Sequence, residues 1–103
     1  MGDIRFEWDL NKAESNQVKH GISFEEAVTV FYDDFALMFD DPEHSVTEER
    51  FMIIGMTSEA NICVVSHCYR EQNVIRIISA RRAARKEQDT YFRHRNRRGG
   101  GIQ

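Results

Sequence analysis

Residues 51–80 read FMIIGMTSEANICVVSHCYREQNVIRIISA, and this stretch decides the fold. It contains three mainly apolar runs, at residues 51–56, 62–69 and 74–80, separated by the short polar segments 57–61 and 70–73. Apolar runs of this length that are bounded by turn residues predict β-strands. Connections this short favour antiparallel neighbours. The stretch therefore predicts the centre of an antiparallel sheet.

Two helices are predicted on the N-terminal side of this sheet. Asp9 is a suitable N-cap and Gly21 a suitable residue after the C-cap, with a helix between them. Residues 23–26, Ser-Phe-Glu-Glu, form a capping-box motif that opens a second helix. Its predicted buried face contains Phe24, Ala27, Val28 and Phe31, and one polar stripe of the first helix contains Lys12, Asn16 and Lys19.

The remaining segments complete an α+β domain. Alternation over residues 35–39 predicts a further short strand, and an acidic loop follows it through Glu49. From Arg81 to Arg95 the residues are mostly helix formers. The predicted order is α-α-β-β-β-β-α, with a mainly antiparallel four-stranded sheet packed against helices. We predict a single domain over residues 1–95 and a disordered tail over 96–103.

Length and composition restrict the class of protein. A chain of 103 residues with 41% hydrophobic and 30% charged residues is typical of one globular domain. There is no run of about 20 apolar residues and no apolar leader, so a cytoplasmic protein without membrane association is expected. Cys63 and Cys68 would point to opposite faces of one strand, which predicts two reduced thiols and no disulfide.

Charge is distributed unevenly along the chain. Residues 1–65 contain 4 Lys and Arg against 14 Asp and Glu, whereas residues 66–103 contain 10 against 3. The C-terminal third is therefore basic, which favours a nucleic-acid or acidic-partner surface there. A helix with a solvated basic face is the alternative interpretation.

Arginines at strand ends are the candidate phosphate-binding groups. Arg70 ends one predicted strand, Arg76 interrupts the next, and Arg81 follows it. Guanidinium groups repel one another unless an anion lies among them, and each donates two hydrogen bonds to a phosphate. Arg82 would contact the flanking sugar-phosphate backbone of a bound nucleic acid. The alternative is that these arginines form ion pairs with the acidic N-terminal half.

Several other side chains are candidates for proton transfer or substrate binding. His20 and His67 have the right ordinary pKa for a general base, and Glu71 is a further candidate, although an isolated histidine is more often structural. Ser79 would donate to a phosphate or cap the last helix. Tyr91 would stack on a base or pack on the sheet. No phosphate-loop, dinucleotide-binding or hydrolase motif is present, and no metal or cofactor is expected.

Two blocks of this sequence, KHGISFEEA at residues 19–27 and IRIISAR at residues 75–81, resemble the BrnT toxin family. The residues that carry the resemblance are Phe6-Glu7-Trp8-Asp9, Lys12, Asn16, Lys19 to Ala27 (KHGISFEEA), Ile75 to Arg81 (IRIISAR), Glu87 and Tyr91. The resemblance extends from about residue 6 to residue 93 and implies a RelE-like fold. It also implies a ribonuclease that works without a metal and is toxic to the cell that makes it. The turn at residues 71–73 departs from the glycine-bearing turn of many relatives.

The partner is likewise implied by the resemblance. A BrnA-type antitoxin, a ribbon-helix-helix DNA-binding protein, would neutralise the toxin in a heterotetramer built around an antitoxin dimer. The functional hypothesis is metal-independent cleavage of RNA by Arg70, Arg76 and Arg81, assisted by His67 or His20. Lys12, Lys19, Glu71, Ser79, Arg82 and Tyr91 would bind the substrate. The alternatives are a toxin of related fold that inhibits a protein such as a topoisomerase, and a non-catalytic RNA-binding module.

Overall fold

The computed structural model describes residues 3–100, and for residues 99 and 100 the backbone alone. Its strands are β1 (Arg5–Glu7), β2 (Leu37–Asp40), β3 (Phe51–Met56), β4 (Ile62–Tyr69) and β5 (Val74–Arg82). Its α-helices are α1 (Leu10–His20), α2 (Phe24–Val28) and α3 (Arg85–Arg95). Two short 3-10 helices (Thr29–Tyr32 and Pro42–His44) and a C-terminal π turn (Asn96–Gly100) complete the chain. No helix of the described part is both long and apolar enough to span a bilayer.

The five strands form one mixed sheet in the order β1-β5-β4-β3-β2. The three interfaces from β2 to β5 are antiparallel, as predicted, but β1 pairs with β5 in parallel. The prediction of a four-stranded RelE-like sheet is therefore wrong in this detail. The missed strand has only three residues, and its partner strand lies about 70 residues further along the chain, so no local pattern announces it.

Most of the predicted element bounds are confirmed near the centre of the sheet and shift at its ends. β3 and β4 have the predicted limits, whereas β5 continues two residues further, to Arg82, and α3 begins only at Arg85. β2 begins and ends one or two residues later than expected. Of the predicted disordered tail, residues 96–100 form the π turn, and residues 101–103 lie outside the described residues.

The helix ends follow the predicted capping residues. The Asp9 carboxylate accepts hydrogen bonds from the first turn of α1, and Gly21 ends the helix in the left-handed region, at φ 73°. The Ser23 hydroxyl accepts from the amide of Glu26, 3.0 Å away. A capping box also predicts that the Glu26 carboxylate accepts from the Ser23 amide. This part of the prediction is wrong, because the carboxylate accepts instead from Thr57 and Asn61, each at 2.7 Å.

Helices cover the two faces of the sheet unequally. On one face, α1, α2 and the first 3-10 helix bury the main core. On the other face, α3 covers only part of the sheet with a smaller cluster, formed by Ile54, Val64, Ala83 and Tyr91. Cys63 and Cys68 are both buried and unpaired, as predicted. The incomplete cover leaves a partly open sheet face beside α3.

Candidate nucleic-acid interface on the open sheet face

A β-bulge in β5 decides which side chains reach the open face. Ser79 lies opposite Ser66 and Ile77 opposite His67, so Ile78 has no partner in β4. Arg76 and Arg81 are five residues apart, an odd number that would place them on opposite faces of a regular strand. The unpaired Ile78 brings them to the same face. Their partners in β4 are Cys68 and Val64, which are four residues apart and therefore share a face.

The polar side chains of this face form what we term the open-face cluster. Cross-strand partners share a face, and Glu7 of β1 is the partner of Arg76. Arg76 and Arg81 are separated by roughly 15 Å along the strand, enough to contact different phosphates of one nucleic-acid strand. The cluster comprises Glu7, Ser66, Arg70, Arg76, Ser79 and Arg81.

Arg81 is held in one orientation by a carboxylate of α3. Its Nη1 and Nη2 atoms donate to the two oxygens of Glu87, at 2.8 and 2.9 Å. Glu87 Oε1 also accepts from the Ala84 amide at 2.7 Å, so the same carboxylate caps α3. The hydrogen bonds with Arg81 hold the pKa of Glu87 below its ordinary value and raise the pKa of Arg81. The pair is therefore ionised and fixed at neutral pH.

The arrangement leaves one edge of the Arg81 guanidinium free. Its five N–H groups include two that bond Glu87, and Nη1 also donates to the Arg82 carbonyl at 3.3 Å. One N–H on Nε and one on Nη2 remain, and no described residue accepts from them. These two groups lie on the same edge of the guanidinium, which is the geometry that binds a phosphate with two hydrogen bonds.

At the other end of the face, Glu7 connects two arginines. Its Oε2 atom accepts a hydrogen bond from Arg76 Nη1 at 3.1 Å and lies 3.7 Å from Arg70 Nε. Arg70 Nη1 also donates to Glu48 at 3.0 Å. A cavity of about 260 Å³ opens beside this group, lined in part by Arg5, Glu7 and Arg70. All three predicted catalytic arginines thus lie on one face, each with a carboxylate partner.

His67 lies on the opposite face of the sheet, away from the arginines. Its side chain is completely buried, and the ring packs edge-on against Phe31 at 4.8 Å and Tyr69 at 5.4 Å. Its Nδ1 is bonded to the Val65 carbonyl at 3.1 Å, while Nε2 is buried without a partner. Burial lowers the pKa of His67, and the bond to Val65 opposes that shift. The structure therefore does not bring His67 to the predicted site.

The predicted candidates on α1 lie on a helix that packs beside β5. His20 is the last residue of α1, and Lys12 and Lys19 are exposed on the same helix. α1 packs beside β5, where Asn16 bonds the backbone of Ala80, and within residues 3–100 these three side chains form no hydrogen bond or ion pair with the cluster. Of the predicted polar stripe, Lys12 and Lys19 are exposed, whereas Asn16 is buried and bonds Ile22 and Ala80.

Two further predicted substrate-binding residues have different positions from those expected. Arg82 lies on the helix-covered face, opposite Cys63, and donates to Asn61 at 2.6 Å. Tyr91 is fully buried, and its hydroxyl donates to Asp33 at 2.7 Å, so it does not stack on a base. Burial and Asp33 raise the pKa of Tyr91 to about 12.

Ser79 and Glu71 complete the predicted set. Ser79 does not cap the last helix, because β5 continues past it and α3 is capped at Ala84. It is instead half-buried on the open face, opposite Ser66. Glu71 is exposed in the turn beside Arg70 and lines the cavity there.

Sequence reasoning missed the carboxylates that hold the arginines. Glu7 and Glu87 belonged to the motifs quoted for the family resemblance, but neither was assigned to the site. Glu87 had a local signal, since a glutamate in the first turn of a helix often caps the backbone. Glu7 had none, because its partners come from the two unrelated strands β4 and β5. Among residues 3–100, no group of three or more metal-ligating side chains is placed to hold a metal ion.

Comparison with known proteins identifies the class of this fold. Residues 8–87 match the model of a family described as "Ribonuclease toxin, BrnT, of type II toxin-antitoxin system". A crystal structure of the Brucella abortus ribonuclease toxin BrnT has a similar fold, with a TM-score of 0.63 and 24% sequence identity. The match covers 80% of this chain and 99% of that one. No protein with a curated description matches the chain.

The class that these matches define is that of the ribonuclease toxins of type II toxin-antitoxin systems. Within it, the chain belongs to the BrnT family, because the family model covers most of its length. The resemblance on which the sequence prediction rested is thereby confirmed. Membership of a type II system also implies an antitoxin partner.

Proposed function

We propose that the chain is an endoribonuclease that acts in the cytoplasm without a metal ion, and that the open-face cluster is its catalytic and RNA-binding surface. The observation that carries this proposal is the bulge at Ile78, which puts Arg76 and Arg81 on the same uncovered face. A bulge that redirects a charged side chain toward solvent is a common feature beside active sites. The family description supports the ribonuclease activity.

The arginines would act by stabilising charge on the phosphate. In the proposed reaction, the RNA 2′-hydroxyl attacks the adjacent phosphorus, and negative charge develops on the phosphate oxygens. Fixed donors aimed at that charge commonly supply the largest catalytic effect. Arg81 suits phosphate binding because Glu87 fixes its orientation and leaves two N–H groups on one edge. Arg76 and Arg70, roughly 15 Å away along the strand, would bind another phosphate of the same RNA.

Two adjacent arginines provide a matched test of the proposal. Arg81 faces the open side of the sheet, whereas Arg82 faces the helix-covered side. A labelled single-stranded RNA is incubated in EDTA with the wild-type chain, Arg81→Gln and Arg82→Gln. We expect Arg81→Gln to lose about 10²-fold or more in rate and Arg82→Gln to stay within a few-fold of the wild type. Both variants remove the same charge, so only its position differs.

Other outcomes would contradict the proposal in different ways. Equal cleavage by all three proteins would exclude Arg81 from the reaction. Cleavage that disappears in EDTA and returns with a divalent cation would exclude the metal-independent mechanism. Failure of the wild type to cleave any RNA would favour the alternative of a toxin that inhibits a protein target.

Neutralisation would follow from coverage of the same surface. We propose that a BrnA-type antitoxin with a ribbon-helix-helix domain covers the open-face cluster, in a heterotetramer around an antitoxin dimer. An acidic antitoxin segment would replace the phosphate as partner of the arginines, which makes the affinity dependent on salt. Titration of the two proteins at increasing ionic strength measures this. An affinity unaffected by salt and by Arg81→Gln would place the antitoxin elsewhere.

A further inference from the structure

Cleavage by the 2′-hydroxyl needs a group that takes up its proton, and the open face offers few. Of the predicted histidines, His67 is buried in the core, and His20, at the end of α1, forms no hydrogen bond or ion pair with the arginines among the described residues. Four carboxylates lie beside the arginines. Glu71, in the turn next to Arg70, forms no ion pair among the described residues, whereas Glu7, Glu48 and Glu87 each pair with an arginine. The choice among these carboxylates decides the chemistry of the site.

Existing hydrogen bonds set Glu87 apart from Glu7 and Glu48, each of which accepts from an arginine at one oxygen only. Glu87 uses both oxygens on Arg81, and one of them also accepts from the Ala84 amide. Glu48 bonds Arg70 and lies against the Cys68 thiol, whose pKa is raised by burial and by Glu48. Glu7 has both of its arginine contacts on Oε2, and no described residue donates to Oε1.

Position on the face also favours Glu7. It is the cross-strand partner of Arg76, and its side chain is 43% exposed, so a bound nucleotide can reach it. The hydrogen bond from Arg76 and the ion pair with Arg70 both involve Oε2, so Oε1 remains available to a ligand. If the phosphate that reacts is the one held by Arg76, the attacking 2′-hydroxyl lies next to Glu7, within the reach that proton transfer requires, and Arg81 holds another phosphate of the same strand.

We propose that Glu7 is the catalytic residue that accepts the 2′-hydroxyl proton, an inference that rests on the proposed ribonuclease function. The proton moves from the 2′-oxygen to a Glu7 carboxylate oxygen as the bond between the 2′-oxygen and phosphorus forms. The bond from phosphorus to the 5′-oxygen breaks, and that oxygen takes a proton from water. The hydroxide that remains takes the proton back from Glu7, which restores the carboxylate. The products are a 2′,3′-cyclic phosphate and a 5′-hydroxyl end, and no oxidant or cofactor is consumed.

The experiment compares Glu7→Gln with Glu48→Gln. Both variants replace an exposed carboxylate that pairs with Arg70, so they are matched in charge and in one lost partner. Single-turnover cleavage of a labelled RNA is measured beside binding of the same sequence with 2′-deoxyribose, which has the phosphates but no attacking hydroxyl. We expect Glu7→Gln to cleave at least 10²-fold more slowly and Glu48→Gln to remain within a few-fold of the wild type.

Measuring how tightly the 2′-deoxy strand binds distinguishes a residue that accepts the proton from one that only positions Arg70 and Arg76. Glu7→Gln is expected to bind the 2′-deoxy strand as tightly as the wild type or more tightly, because Arg76 and Arg70 lose a competing anion. Glu7→Asp, which keeps the carboxylate, should recover part of the rate. Loss of binding in parallel with cleavage would overturn the assignment, as would cleavage by Glu7→Gln at the wild-type rate. A wild type that cuts no RNA would instead overturn the ribonuclease proposal on which the assignment rests.

Discussion

At the residue scale, His67 shows why a chemically suitable side chain is not thereby a catalytic one. The imidazole is surrounded by Phe31, Phe51 and Tyr69, and its one bonded nitrogen contacts the backbone of its own strand. Position along the sequence gave no indication of this, because the residue lies only three positions from Arg70. Which face of β4 it occupies is decided by pairing with β3 and β5.

The burial of His67 predicts that stability depends on pH. Its pKa is lowered in the folded protein, so the unfolded chain binds a proton first as pH falls. The contribution of neutral His67 to the free energy of unfolding is fully present above the pKa of about 6.5 in the unfolded chain, and it declines as pH falls below that value. Urea unfolding at a series of pH values should show the decline in the wild type, and His67→Phe should reduce it. An unchanged pH dependence in His67→Phe would contradict the assignment, and exposed His44→Gln is the control.

At the element scale, much of the molecule could be predicted from local patterns. The caps of α1 and the limits of β3 and β4 follow from Asp9, Gly21 and the two polar turns. The bulge at Ile78 could not be predicted, because an isoleucine in an apolar run has no feature that marks it as unpaired. The predicted arginines therefore share a face for a reason that lies in strand pairing, not in the spacing of the residues.

Asn16 joins two elements that are distant in the sequence. Its side-chain amide donates to the carbonyls of Ile22 and Ala80, at 3.0 and 2.8 Å, and its oxygen accepts from the Ala80 amide at 3.0 Å. β1 pairs with β5 only as far as Arg76, so the edge of β5 at Ala80 has no neighbouring strand. One side chain of α1 thus satisfies the backbone groups that a longer β1 would have bonded.

Replacing Asn16 should destabilise the fold without touching the open face. Asn16→Ala leaves one amide and two carbonyls without their partner in a buried position, and we expect a loss of about 3 kcal/mol in the free energy of unfolding. Urea denaturation measures this, with exposed Gln17→Ala on the same helix expected to change stability by less than about 0.5 kcal/mol. If Asn16→Ala were as stable as the wild type, the edge of β5 would need another explanation.

At the scale of the whole molecule, the fold gathers the basic part of the chain around the open face. Residues 66–103, which carry 10 Lys and Arg against 3 Asp and Glu, include the second half of β4, all of β5 and α3. These are the elements that form and border the open-face cluster. A positive surface of this kind raises the rate at which a polyanion arrives, and salt screens the effect. RNA binding should therefore depend strongly on ionic strength.

The salt dependence measures how many phosphates the cluster neutralises. For single strands the logarithm of affinity falls with the logarithm of salt concentration by about 0.7 for each phosphate contact. Contacts from Arg70, Arg76 and Arg81 alone predict a slope of about −2 for binding of a 2′-deoxy strand, and Arg76→Gln should make it less steep by about 0.7. Arg82→Gln removes the same charge from the opposite face and should leave the slope unchanged. Equal effects of the two variants would mean that net charge alone determines affinity, and the open face would then not be the binding surface.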